Sequence, residues 1–409
     1  MRVAVIGGGM AGLSAAHELL RRGADPVVFE AADRAGGKVG SRLEQGFLTE
    51  DGPLFIARPL DALLDAAGLR DQVEQPRGPK TRWVHYGARV LKAPSLPLLL
   101  RAGLGRALLE PLFARPLAGD PSLRAHLIQR LGNKAGELVA AVMAAGVYAG
   151  DPDHLSAREA FPFLAEPGSL LVNALGRKRP RIWSLQRGLG SFPQALAEKL
   201  EGRVRLGVAV SRLAPSWSVE GEPFEAVVLA LPASRAAALA RDFAPRFSQA
   251  AAQLRAAPLA LVHLGFAEQA LPRGFGVLDA DGALHAVGTL LPSSMLPGRA
   301  PPGKALATAI CGGARRPEIA ALPEPQLIES VLGDLRRLFG ILRDPEYARV
   351  VRHAEGIPQY APGHRDRVRA AREALAELPR IELAGAAWDG VSVPDVVRSG
   401  AAAAARLVP

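Results

Sequence analysis

The chain opens with an apolar strand, a glycine turn, an amphipathic stretch and a second strand ending in a carboxylate. Val3-Ala4-Val5-Ile6 runs straight into Gly7-Gly8-Gly9-Met10-Ala11-Gly12, and Val27-Val28-Phe29-Glu30 closes the unit. Gly7 permits the tight turn, Gly9 lets main chain approach a pyrophosphate, and Gly12 lets helix and strand pack closely. A pyrophosphate then lies at the positive end of the helix, against amides without an intrahelical partner. Leu13, Ala16 and Leu20 keep a helical apolar face, and Gly23 is placed to end the helix. Glu30 falls about 20 residues after the turn, where a carboxylate can accept hydrogen bonds from an adenosine ribose. A glycine triplet alone is only a turn. In register with both strands, the helix and Glu30, it predicts a dinucleotide site without saying which dinucleotide.

The next segment, Ala32-Asp33-Arg34-Ala35-Gly36-Gly37-Lys38-Val39, narrows that choice. Arg34 and Lys38 can place positive charge beside phosphate, and the paired glycines let the chain cross close to a ligand. The bland alternative is a solvated basic turn. Here the sequence resembles the superfamily of FAD-containing amine oxidases and protoporphyrinogen oxidases, in which an Arg-x-Gly-Gly element follows the Rossmann unit and binds FAD phosphates. Lys38 stands where many relatives carry Arg.

A length of 409 residues allows two or three domains. Cys311 is the single cysteine, so no intramolecular disulfide framework exists. The formal charge of +10 points to acidic partners such as anionic lipid or a carboxylated substrate. Nucleic acid fits less well, because the arginines are dispersed and aromatics few. No apolar run reaches the length of a spanning helix, about 18 residues. The first strand starts at Arg2, so no leader is expected, and the location expected is cytoplasmic, peripheral to the inner face of the cell membrane. The eight histidines form no metal-like cluster.

The fold class expected is α/β with α+β insertions: a Rossmann-like FAD-binding domain of the glutathione reductase/amine oxidase type, a mixed-sheet substrate domain and a helical membrane-facing domain. Residues 1–56, 182–245 and 375–409 are assigned to the first, 57–90 and 246–374 to the second, and 91–181 to the third. Strands are expected over 204–210 and 226–232, then near 259–266, 275–278, 286–291 and 305–311. Glu324 to Phe339 has helical spacing, and 380–385 reads as a last strand. Leu96 to Leu117, with Arg101, Arg106 and Arg115, is a basic amphipathic segment suited to a membrane surface or to ordinary core packing. Trp388-Asp389-Gly390-Val391-Ser392-Val393-Pro394-Asp395 leads into a helix whose amino end would favour the negative charge of a reduced flavin.

Longer stretches resemble the protoporphyrinogen oxidase branch over nearly the whole chain. They include Gly146-Val147-Tyr148-Ala149-Gly150-Asp151-Pro152, Ser184 to Gly190, Gly312-Gly313-Ala314-Arg315, Ile357-Pro358-Gln359-Tyr360 with Gly363-His364, and Gly390 to Asp395. By position the resemblance assigns FAD contacts to Gly7, Gly8, Gly9, Met10, Ala11, Gly12, Glu30, Arg34, Gly36, Gly37 and Lys38. It adds Gly52, Pro53, Leu54, Phe55, Val210, Gly385, Val391, Ser392 and Val393. Ala386 stands where the wider superfamily often has Asp or Asn, and 167–182 is shorter than in many relatives. Lys92 occupies roughly the place of a propionate-binding arginine, with an exposed solvated lysine as the alternative.

The resemblance implies oxidation of protoporphyrinogen IX to protoporphyrin IX by successive hydride transfers to flavin, with oxygen as acceptor. No general base is nominated, since aromatisation drives the reaction and the protein positions the macrocycle. Three other readings stand beside it: a coproporphyrinogen III oxidase of the same family, a flavin amine oxidase, and a non-enzymatic lipid-binding escort protein on the same fold. An amine oxidase needs an aromatic cage, to which Tyr360 and Trp388 could contribute. The oligomeric state is left open.

Overall fold

The structure is a computed structural model that describes every residue except Lys80, Leu104, 113–115, 177–180, Pro215 and 268–269. In it, β1 (Arg2–Ile6), α1 (Met10–Arg21) and β2 (Asp25–Phe29) form a parallel βαβ unit. The unit is the centre of a five-stranded parallel sheet, ordered Ile381–Leu383, Ala226–Leu229, β1, β2, Val204–Arg205. Parallel sheets need both faces covered, which is why these strands read as continuous apolar runs. Val3, Val5, Val28 and Val228 face a core built with α1 and the Val393–Leu407 helix. Ala4, Ile6, Val27, Phe29, Val227 and Leu229 face the opposite core, with Phe247, Val368 and Leu375.

A second sheet has seven strands, ordered Tyr347–Pro358, Ala256–Ala267, Lys304–Gly312, Ala286–Leu290, Gly276–Asp279, Arg82–Tyr86, Arg89–Ala93. It is mixed: Gly276–Asp279 and Arg82–Tyr86 run parallel and the other pairs antiparallel. Ala260, Val262, Leu264 and Phe266 alternate onto one face, where Leu327, Val331 and Leu335 of the Glu324–Phe339 helix cover them. A helical segment that includes Leu123–Leu131 and Asn133–Tyr148 packs against the second sheet, where Leu138 meets Val84. Among the described residues no helix is long and apolar enough to cross a membrane.

Two expectations change, and one strand and one hairpin appear that none had named. The strand expected over 204–210 stops at Arg205, because Gly207 turns the chain with φ +71°. Pairing nevertheless continues irregularly, with Gly207 N–H donating to Ala32 O and Val208 N–H to Glu30 O. The segment expected to be amphipathic over 96–117 is broken into Leu96–Arg101, Gly105–Leu108 and the single turn Glu110–Leu112. Arg115 and the side chain of Arg106 lie outside the described residues. The strand Tyr347–Pro358 and the hairpin 82–93 carry no clear apolar alternation. Inward positions of the first are filled by Arg349 and His353, which bond polar groups instead of packing.

A buried ion pair ties the short strand Phe47–Glu50 to the loop that precedes Lys304–Gly312. Arg299 and Glu50 are 1% and 4% exposed, and Arg299 Nη1 donates to Glu50 Oε1 at 2.5 Å. Arg299 also donates to Ser184 Oγ at 2.8 Å and Leu185 O, while Glu50 accepts from Leu189 N–H and Ser41. Removing one member leaves a buried charge without its counterpart, at about 3–5 kcal/mol. Glu50→Gln is therefore expected to lower the thermal midpoint sharply. Glu50→Gln combined with Arg299→Met should recover most of the loss. Two singles that melt like the wild type would refute this role.

Candidate active site

Main chain builds the site's phosphate end. Gly7 has φ +107°, and a Cβ there would lie 2.4 Å from Ala230 O. A Cβ on Gly12 would lie 1.9 Å from Gly7 O, so no side chain fits between turn and helix. Gly9 is the N-cap of α1, with no side-chain cap and nothing within 4 Å of a Cβ built on it. The first amides of α1 therefore face an open space with no acceptor of their own, the condition under which a helix end takes an anion. Glu30 is held beside them: its carboxylate accepts Gly8 N–H at 2.7 Å and Ala32 N–H at 2.9 Å. Each oxygen keeps a further lone pair.

The Arg34–Lys38 loop lies against this turn. Gly36 N–H donates to Gly8 O at 2.8 Å, Gly36 bridges to Gly9, and Gly37 takes φ +56° beside the Gly9 Cα. Arg34, its side chain 37% exposed, donates to Asp51 Oδ2 at 2.8 Å and to Gly37 O at 3.0 Å. It organises the loop from beneath. Arg349 grips the other oxygen, Asp51 Oδ1, at 2.5 Å, and His353 Nε2 donates to Asp51 O. Lys38 Nζ donates to Gly356 O at 2.7 Å, and burial pushes its ammonium below the usual lysine range. A Cβ on Gly52 would lie 2.2 Å from Lys38 O, so the Gly52-Pro53-Leu54-Phe55 turn rests directly on the loop. Leu54 packs with Met295 and Leu296, and the ring of Phe55 stacks on Phe275 at 5.6 Å.

The carboxyl-terminal segment closes on the same turn. Gly385 has φ +126° and comes nearest to Ala11, while a Cβ on Gly400 would lie 2.1 Å from Ala11 O. Ser392 caps the Val393–Leu407 helix, accepting Asp395 N–H, and Val393 packs against the α1 core. Val391 packs instead toward the helical segment, beside Tyr148 and Tyr360. Val210 joins the opposite core beside β2. Met10 and Ala11 are buried in the first turn of α1.

Not every expected residue converges. Lys92 is exposed on Arg89–Ala93, the outermost strand of the seven, opposite Trp83. Arg82, on the adjacent strand one step inward, stacks its guanidinium on Phe275 at 4.6 Å and so stands beside the Phe55 column. The two aromatics considered for a cage are otherwise engaged. Tyr360 is bonded to main chain, and Trp388 is 5% exposed beside Phe247. Reading the sequence missed Asp51, Arg349 and His353 as a brace. The only available signal was the Val350-Val351 pair, too short to mark a strand whose inward face is polar.

Residues 10–408 match the flavin containing amine oxidoreductase family, and the chain belongs to it. Protoporphyrinogen oxidase 1 of the chloroplast of Spinacia oleracea is 28% identical, over 91% of this chain and 77% of its own. Coproporphyrinogen III oxidase of Propionibacterium freudenreichii is 30% identical, over 96% and 88%. A crystal structure from Exiguobacterium sp. 255-15, provisionally named a protoporphyrinogen oxidase, superposes with TM-score 0.86 at 25% identity, covering 100% of this chain and 98% of that one. The protein is an FAD-dependent oxidoreductase, and the uncapped α1 terminus, open Gly9 and tethered Glu30 fit that cofactor.

Glu30→Ala is expected to weaken FAD binding at least about tenfold, roughly 1.4 kcal/mol, since it frees two amides as well as removing an acceptor. Quenching of FAD fluorescence on titration with apoprotein measures this. Unchanged affinity would exclude Glu30 from the cofactor site.

Proposed function

We propose that this chain oxidises a porphyrinogen to the corresponding porphyrin, with protoporphyrinogen IX as substrate and oxygen as acceptor, in tetrapyrrole biosynthesis. The observation that carries the reading is that relatives named for porphyrinogen oxidation align over nearly the whole chain, through both sheets and the closing loop. Bound FAD supplies a two-electron acceptor, so loss of six electrons takes repeated turnovers. In this reading Gly7–Gly12, Gly36 and Gly37 hold the pyrophosphate, Glu30 the ribose, and Gly52–Phe55 and Val391–Val393 the ring. Leu54, Leu261, Leu290, Leu306 and Ile310, together with Thr49, Glu50 and Thr308, line a small hollow under the Gly52–Leu54 turn. The substrate's carboxylates need cations, and the hairpin 82–93 offers Lys92 and Arg82.

A second relative acts by name on coproporphyrinogen III, which has four carboxylates instead of two, so the substrate is decided by product analysis. Anaerobic mixing with protoporphyrinogen IX is expected to bleach the flavin absorbance, and admitted air to restore it with fluorescent protoporphyrin IX and hydrogen peroxide. Bleaching only with coproporphyrinogen III would move the assignment to that substrate. Bleaching with neither would end the porphyrinogen reading.

We infer a peripheral membrane contact from the helical segment. Leu96, Leu100, Leu108, Leu112 and Leu175 are all more than 65% exposed, with Arg101 among them. Apolar side chains flanked by a cation can enter the boundary of an anionic bilayer. The protein should sediment with phosphatidylglycerol vesicles, and Leu100→Asp with Leu112→Asp should abolish this while leaving detergent-free turnover intact. Equal sedimentation of both proteins would rule the patch out.

A further inference from the structure

The turn that leads into Val391–Val393 is weakly held by its own sequence. It is a single helical turn, Ala386–Asp389, bounded by Gly385 and Gly390 with φ +126° and +122°, and it has no side-chain N-cap. Four residues between two such glycines cannot hold themselves in one conformation, because an isolated turn is below the length at which a helix is stable.

One phenol closes this turn from both ends. The Tyr360 hydroxyl donates to Ala386 O at 2.6 Å and accepts Gly390 N–H at 2.7 Å. Tyr360 is 6% exposed, and burial pushes its ionisation well above the ordinary tyrosine value, so the donated proton is retained. Its ring is fixed by the His364 imidazole, stacked at 3.8 Å and 18°, and by Tyr148 at 5.8 Å. Its main-chain oxygen accepts Ser156 N–H at 2.7 Å, and neighbouring Gln359 donates to Tyr148 O. On the far side Ser399 Oγ accepts Gly385 N–H and donates to Asp389 at 2.5 Å. The same strand, ending at Pro358, also holds Lys38 through Gly356 O. Residues 356–360 therefore tie the phosphate loop, the closing turn and the helical segment to one another.

We propose that Tyr360 is a positioning residue for the flavin: its hydroxyl clamps the Ala386–Gly390 turn and thereby sets how tightly, and at what potential, the ring is held. The proposal rests on the placement of the ring at Val391–Val393 and not on the identity of the substrate. The hydroxyl alone is removed by Tyr360→Phe, which keeps the ring and its stacking. Gly390 N–H and Ala386 O then lose their partner in a partly buried place, which corresponds to roughly a tenfold loss of FAD affinity. Reduced flavin, the more negative form, depends more on the helix amino end that this turn positions. Each tenfold excess loss for that form lowers the midpoint potential by about 30 mV.

The experiment compares wild type, Tyr360→Phe and Tyr347→Phe, a tyrosine bonded to Glu44 away from the turn. FAD dissociation constants come from apoprotein titration, midpoint potentials from dye equilibration, and amide hydrogen exchange is followed over residues 384–392. Weaker FAD binding, a lower potential and faster exchange confined to that peptide, in Tyr360→Phe only, are the expected result. Wild-type affinity and potential in Tyr360→Phe would overturn the proposal. So would exchange raised throughout the chain with an unchanged potential, or an equal effect of Tyr347→Phe. None of these measurements uses a porphyrinogen, so the clamp and the substrate assignment fail separately.

Discussion

Two neighbouring carboxylates organise the molecule. Successive residues of an extended chain point to opposite sides, so Glu50 and Asp51 at the end of one short strand reach into different surroundings. Glu50 meets the fully buried Arg299 and the Ser184–Leu189 segment. Asp51 is gripped by Arg34 from the phosphate loop and Arg349 from the second sheet. Charges so deeply placed add little net stability, but they tolerate only one arrangement of their partners. This requirement sets the second sheet, the phosphate loop and the Gly52–Phe55 turn relative to each other.

The consequence for chemistry is a site built mostly from main chain. In the proposed site, amides of α1, the glycine pairs and the closing turn would supply the contacts, while Arg34, Lys38 and Tyr360 bond the main chain of those segments. An oxidation whose driving force comes from aromatisation asks for orientation and exclusion of water more than for acid or base groups.

The legible parts were those with local causes. β1, α1, β2 and Glu30 could be read because glycine spacing and strand periodicity act within thirty residues of one another. The strands near 256–267 and 304–312 were legible through their apolar alternation, and the Glu324–Phe339 helix through its spacing. Tyr347–Pro358 was not, because its inward side chains satisfy charges contributed by residues some 300 positions away. Arg34 was expected at the FAD phosphates from its charge and the resemblance, and its bond to Asp51 is a tertiary contact that the sequence does not announce. Lys92 was matched by position to a propionate-binding arginine of relatives, and only the strand order sets it on an outer strand.

By itself the amino-acid sequence determined that a dinucleotide cradle opens the chain and that a proline-led helix follows the last strand. Those features follow from steric limits on glycine and from hydrogen bonding within one element. Tertiary structure alone decided that the last helix seats Gly400 on Ala11 and that Tyr360, just past the edge strand of the second sheet, closes the Ala386–Gly390 turn. Such contacts join residues far apart in the chain. Their partners are chosen by the packing of whole sheets, which no local pattern encodes.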